Sequence, residues 1–113
     1  MALLSKDQIF AMDDMRYTTV EVGNGEIRLK SMSISDQLSY EKELTGSQDH
    51  NRDLVFGLIV RCCVDENGNQ LFTKDDLDLL GKKSTDFILK VFNAAKDLND
   101  LKQDDLEKHA KNS

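Results

Sequence analysis

The chain has 113 residues, 39% of them apolar and 32% charged, with a net charge of −6 and a pI near 4.8. That size and balance specify one small globular domain, too apolar to stay disordered. Acidic residues outnumber basic ones 9 to 5 through residue 50 and 12 to 10 after it, so neither half offers a basic face for nucleic acid or an anionic membrane.

Residues 1–7 lack the charged start and long apolar run of a secretory signal. The longest mostly apolar run, residues 54–64, is broken by Gly57 and Arg61 and is too short to span a bilayer. A cytoplasmic protein is therefore expected. The two cysteines, Cys62 and Cys63, are adjacent within that run, which predicts two reduced, buried thiols. No CxxC or spaced Cys/His pair suggests zinc.

Residues 5–15 can hold a short helix, with Ser5 as N-cap, Asp7 in the first turn, and Asp13-Asp14 weakening its end. Residues 17–32 then change period. Tyr17 to Val22 is rich in β-branched and aromatic residues, and Glu26 to Lys30 alternates strictly. Gly23-Asn24-Gly25 between them supplies a tight turn, so a β-hairpin is predicted. Val20, Val22, Ile27 and Leu29 would share one face, with opposite charges on the other available for cross-strand pairing.

Ser33 caps a helix running to about Leu44, with Ile34 and Leu38 expected inward, and Gly46 opens a loop. Residues 51–64 are predicted as the central buried helix on length, since periodicity alone does not separate it from a strand. Residues 65–69 form a turn, after which Leu71-Phe72 should re-enter the core. Thr73 caps a short helix carrying Leu77 and Leu80 and stopped by Gly81. Ser84 caps the next, whose apolar stripe is Phe87, Ile88, Val91, Phe92 and Ala95. The expected class is α+β, mainly α: an N-terminal hairpin packed on about four helices. Residues 1–98 would form the globular domain and 99–113 a polar tail.

Few residues suggest chemistry. Residues 65–76 place Asp65, Asn67, Asn69 and Asp76 at ligand positions of an EF-hand loop. The sixth position, however, is Gln70 rather than glycine, and the twelfth is a short aspartate. A calcium-binding module stays a remote alternative. His50 and His109 lie in polar segments without a nucleophile beside them, and the acid pairs suit solvated surfaces. No catalytic, metal or cofactor site is assigned. The apolar residues near the N-terminus, Leu3, Leu4, Ile9 and Phe10, and the hairpin residues Val20 and Val22, either complete the core or form a site for a partner polypeptide or a second copy.

Three stretches together resemble a known family. They are Leu4-Ser5-Lys6-Asp7-Gln8-Ile9-Phe10-Ala11 running into Asp13-Asp14; Ile27-Arg28-Leu29-Lys30-Ser31-Met32 leading into a Ser-capped acidic helix; and residues 64–73 preceding a short helix, then residues 84–98. Their order, over nearly the whole chain, resembles the tail assembly chaperones of long-tailed phages and prophages. No single motif is specific to the family. Relatives often have a longer hairpin loop with proline and tryptophan, and this chain has only Gly23-Asn24-Gly25, so no site is carried onto that loop.

The resemblance implies a non-enzymatic role without cofactor: coating the aggregation-prone tape measure protein before the tail tube polymerises, with self-association. It implies action in the host cytoplasm and absence from the finished virion. Many relatives also have a longer form, made by a −1 frameshift, whose extra domain recruits tail tube subunits. Ala110-Lys111-Asn112 can be encoded by a slippery heptamer, although other codons serve equally. The tail from Asn99 would then tether the added domain. The competing reading within phage assembly is a head–tail connector, tail-completion or adaptor protein.

Overall fold

The structure, a computed structural model, describes residues 2–112, with side chains described for residues 2–99. Helix α1 (Lys6–Ala11) is a single short segment closed by a reciprocal capping box. The Ser5 hydroxyl accepts from the Gln8 amide at 3.1 Å, and the Gln8 carboxamide accepts from the Ser5 amide at 2.9 Å. Met12 is extended and ends it.

Strands β1 (Tyr17–Val22) and β2 (Gly25–Lys30) form the expected hairpin. Its loop is two residues rather than three, because Gly25 pairs with Val22. Gly23 has φ +56° and Asn24 is not in the positive-φ region, the pattern of a type II′ turn that matches strand twist. This register puts Val20 opposite Ile27 and Thr18 opposite Leu29 on the inner face. On the outer face it sets Glu21 directly against Glu26. The opposite-charge pairing anticipated from the sequence is thus replaced by a like-charge pair across the strands. Arg28 instead covers the Tyr17 ring, its guanidinium carbon 4.5 Å from the centroid.

Helix α2 (Ile34–Thr45) starts at Ser33, whose hydroxyl accepts from the Asp36 amide at 3.1 Å. Helix α3 (His50–Cys62) is the buried central helix. It stops two residues short of the predicted end: Cys63 and Val64 form strand β3 (Cys63–Val64), antiparallel to β2, giving a sheet of order β1-β2-β3. The ladder turns the amide and carbonyl of Arg28 away from β1, and Val64 of β3 stands opposite to pair with them. Val64 also bridges Gln70 across the turn at Gly68 (φ +83°).

A 3₁₀ turn, Lys74–Asp76, leads into α4 (Leu77–Leu80), and α5 (Thr85–Asn112) closes the fold. The core lies between the inner face of the sheet, α3 and one stripe of α5: Leu29, Ile59, Cys62, Cys63, Val91 and Ala95 are essentially inaccessible. Tyr40 of α2 joins it, its hydroxyl donating to the Leu54 carbonyl at 2.6 Å. The α+β class, mainly α, is as expected from the sequence.

The predicted domain boundary at residue 98 cuts through a helix. Asn99 is buried, and its carboxamide accepts from the Met32 amide at 3.0 Å while donating to the Ala95 carbonyl at 2.8 Å. It therefore belongs to the body, not to a tail. Ala110, Lys111 and Asn112 fall on the last turn of α5, and their side chains lie outside the described residues.

Replacing Asn99 with alanine would leave the buried Met32 amide without an acceptor. Asn99→Ala should lower the free energy of unfolding by about 1–3 kcal/mol, read from urea melts. A neutral substitution would show that water or another group satisfies this amide.

Candidate partner-binding surface

Apolar groups in excess of what the core can enclose define the surface of interest. All residues from 2 to 14 are exposed, so α1 and its flanks form an arm that the core does not enclose. Leu3, Leu4, Ile9, Phe10 and Met12 are all displayed on it, Phe10 at 78% exposure. Among the described residues, the hydrogen bonds that tie the arm to the body are at its root. There Asp13 accepts from the Met15 amide and the Tyr17 hydroxyl, and Arg16 pairs with Ser31 through backbone and hydroxyl. Four of the six residues anticipated as a contact site are thus together on the arm, and finishing the core is not what they do.

Val20 and Val22 are corrected. Val20 is buried and Val22 packs against the core, because the hairpin register turns both to the face that packs on α5. What the hairpin does offer outward is backbone. β1 is an edge strand, and the ladder leaves the amides and carbonyls of Tyr17, Thr19 and Glu21 pointing away from β2.

Helix α2 also turns a different face inward from the one expected. Ile34 and Leu38, expected inward, are 68% and 58% exposed. Tyr40 and Leu44 occupy the inner face instead. Tyr40 wins that face because its ring packs under Arg61 (5.4 Å to the guanidinium carbon) while its hydroxyl finds a carbonyl. An isoleucine or a leucine there would offer neither the ring face nor the hydroxyl.

A third apolar feature went unseen in the sequence. Phe72, Leu79, Leu80 and Phe87 line a cleft of about 200 Å³, with Lys83 and Asp76 at its rim. Leu80 forms a buried floor, whereas Leu79 is 65% exposed. Leu71, expected to return to the core, also points outward. The signal was present: three leucines in the four residues of α4 cannot all face one side of a single helical turn.

The remaining cavity of note, about 570 Å³, is polar. It lies between the α2 start, the α3 end and the 65–73 loop, and Lys30, Asp36, Arg61 and Lys74 line it. Two of its cations are engaged. Arg61 pairs with Glu43 at 3.0 Å and donates to Ser39 and the Gly57 carbonyl, and Lys74 reaches Glu43 at 3.4 Å. Burial pushes the Glu43 carboxyl up, but the Arg61 hydrogen bond and charge, aided by Lys74, outweigh it and hold it below the ordinary carboxylate value. Among the described residues, no buried side-chain polar atom lacks a partner.

The groups considered for chemistry are occupied structurally. Asp65 accepts from the amides of Asn67 and Asn69 at 2.9 and 3.0 Å, and Asp76 from the Thr73 amide at 2.9 Å, which closes a capping box. The calcium-loop carboxylates thus hold a turn and a helix start, and a strand, not a helix, precedes them. No group of three or more His, Cys, Asp or Glu among the described residues is placed to hold a metal ion. His50 is exposed at the start of α3, and His109 lies outside the described side chains. Cys62 and Cys63 are free and buried at the junction of α3 and β3. Burial pushes Cys62 up to about 11, with the Asn99 hydrogen bond opposing, and Cys63 up to about 12, with Cys62 adding to it. Neither is a nucleophile at neutral pH. No helix among the described residues is long and apolar enough to cross a membrane.

Two outcomes are expected. Both thiols should resist alkylation at pH 8 in the folded protein and react fully in denaturant; rapid labelling of the native chain would place them at the surface. Glu43 should make folding pH-dependent at the acid end. Its folded pKa lies below the unfolded value of about 4.3, so its contribution is complete above that value and lost as pH falls through the lowered folded one. Thermal melts should therefore show a smaller acid-induced loss in Glu43→Gln than in the wild type.

By sequence, no family model and no curated protein matches the chain. By structure, its fold is similar to that of the tail assembly chaperone of bacteriophage HK97. The TM-score is 0.59 at 18% identity, over 81% of this chain and 90% of that one.

Proposed function

We propose that this chain is a phage tail assembly chaperone that acts by binding, without catalysis. The observation that carries the reading is the fold shared with the HK97 tail assembly chaperone over 81% of the chain. The surface described above suits the role. A chaperone for an apolar polypeptide needs apolar contacts that its own core does not use, and the arm bearing Leu3, Leu4, Ile9 and Phe10 has them. The acidic balance of the chain favours solubility of the chaperone and of what it covers.

In this reading the target is the tape measure protein, whose long apolar helices must be kept soluble in the host cytoplasm until the tube forms around them. Coating so long a target calls for many weak, repeated contacts and for association between copies. A longer form, made by a shift of reading frame at the codons of Ala110-Lys111-Asn112, would bring in tail tube subunits. The chaperone itself would leave before the virion is complete.

Co-expression with the tape measure protein of the same phage is the test. The wild-type chain should carry the tape measure into the soluble fraction. Leu4→Asp and Phe10→Asp should lose that effect while melting as the wild type does, since both side chains are exposed. A tape measure protein equally soluble with and without the wild-type chain would rule the reading out.

A further inference from the structure

The polar cavity of about 570 Å³ carries more hydrogen-bond donors than acceptors on its walls. Lys30 comes from the end of β2, Arg61 from the last turn of α3, and Lys74 from the start of the 3₁₀ turn. Glu43 pairs with both Arg61 and Lys74, which leaves one positive charge over between them. Lys30 adds a second, and among the described residues it has no ion-pair partner. Asp36, the carboxylate on the wall, takes one back. The site therefore keeps a net positive charge in a chain whose total is −6.

The walls also hold hydroxyls that already serve as acceptors. Ser33 accepts from the Asp36 amide at 3.1 Å, and Ser39 accepts from the Arg61 guanidinium at 3.2 Å. Each keeps its O–H to donate. Lys74 spends one ammonium proton on Glu43, and its side chain is 75% exposed, so its other protons are open to a ligand. A ligand that fits these walls brings both acceptors and negative charge, and a carboxylate does both.

The position of the cavity indicates where such a carboxylate comes from. Met15 and Ser31 line it, and they stand at the root of the arm, where the Ser31 hydroxyl accepts from the Arg16 amide at 2.9 Å. A polypeptide lying on the arm reaches the cavity there. A partner that is apolar where it meets Leu4 and Phe10, and acidic where it passes the root, satisfies both surfaces. A small free anion would use the cavity alone.

We propose that this cavity receives a glutamate or aspartate side chain of the polypeptide that the arm binds, its carboxylate meeting Lys30, Lys74 and the Ser33 and Ser39 hydroxyls. Arg61, held by Glu43, forms the cationic wall behind them. Asp36 opposes the incoming charge and keeps the contact weak, which suits a target that is later released. The inference rests on the chaperone reading for the source of the acid. It is tested without the tape measure protein, so that the two fail separately.

The experiment is an NMR titration of the isotope-labelled full chain with an acetylated, amidated tetraglutamate peptide at neutral pH. Salt is set at about 0.15 M, where the negative charge of the chain is screened beyond about 8 Å. The amide signals of Lys30, Ser33, Ser39 and Lys74 should shift together, and a tetraglutamine peptide should leave them in place. Lys30→Gln should weaken binding about tenfold, as for loss of one hydrogen bond to a charged group. Asp36→Asn should tighten it about threefold by removing an exposed like charge. Damage to the fold does not produce a gain, so the second variant keeps the test decisive if the first unfolds. No shifts at millimolar peptide overturn the proposal, as does an equal response to tetraglutamine or an Asp36→Asn chain that binds no tighter. Inorganic phosphate binding as tightly as the peptide would mean an adventitious ion only, and overturns it too.

Discussion

One carboxamide holds the three parts of this fold in register. Asn99, on α5, accepts from the amide of Met32 where the sheet passes into α2, and it donates to the Ala95 carbonyl on its own helix. It also lies 3.5 Å from the Cys62 sulfur at the end of α3. Apolar contacts such as Val91 and Ile59 tolerate small slides of helix on helix. A buried amide has one acceptor position and charges a penalty if it is missed. This bond therefore sets how far along α5 the sheet sits, and with it the root of the N-terminal arm.

From that anchor the layout of the surface follows. The arm emerges at the Asn99 end of α5, and the cleft opens at the Phe87 end, where α4 leaves one leucine too many to bury. Apolar surface is thus present at two ends of a small body whose core is otherwise closed. The polar groups are spent largely on turns, caps and the Glu43–Arg61–Lys74 cluster, and the uncommitted surface is largely apolar and convex or shallow. That distribution suits the polypeptide-binding role proposed above, and the fold is similar to that of the HK97 tail assembly chaperone.

Much of the candidate site was legible residue by residue and not legible as a place. Leu3, Leu4, Ile9 and Phe10 stood out because they precede any segment with a strong helical or strand period. Whether they were core or surface could not be read from the sequence, because that depends on whether the body leaves a groove for them. Val20 and Val22 looked equally available until their register turned them inward. The cleft was missed because Leu79 reads as one more apolar residue in a helix, and only the packing of Leu80 beneath it shows that Leu79 has nowhere to go.

The amino-acid sequence by itself determined the local structure: the caps at Ser5, Ser33, Thr73 and Ser84, the turn at Gly23-Asn24, and the stripe on α5. Each of these is an interaction between residues a few positions apart, so its energy is nearly independent of the rest of the chain. It also determined what the protein lacks in positive charge and in recognisable catalytic motifs. The tertiary structure alone decided which face of α2 turned inward, where α3 gave way to a strand, and that Asn99 belonged to the core. These are competitions between distant groups for the same buried space. Tyr40 displaced Ile34 and Leu38 because it satisfies a carbonyl and a cation while filling volume. Cys63 and Val64 became a strand because the backbone of Arg28, turned away from β1, needed hydrogen-bond partners.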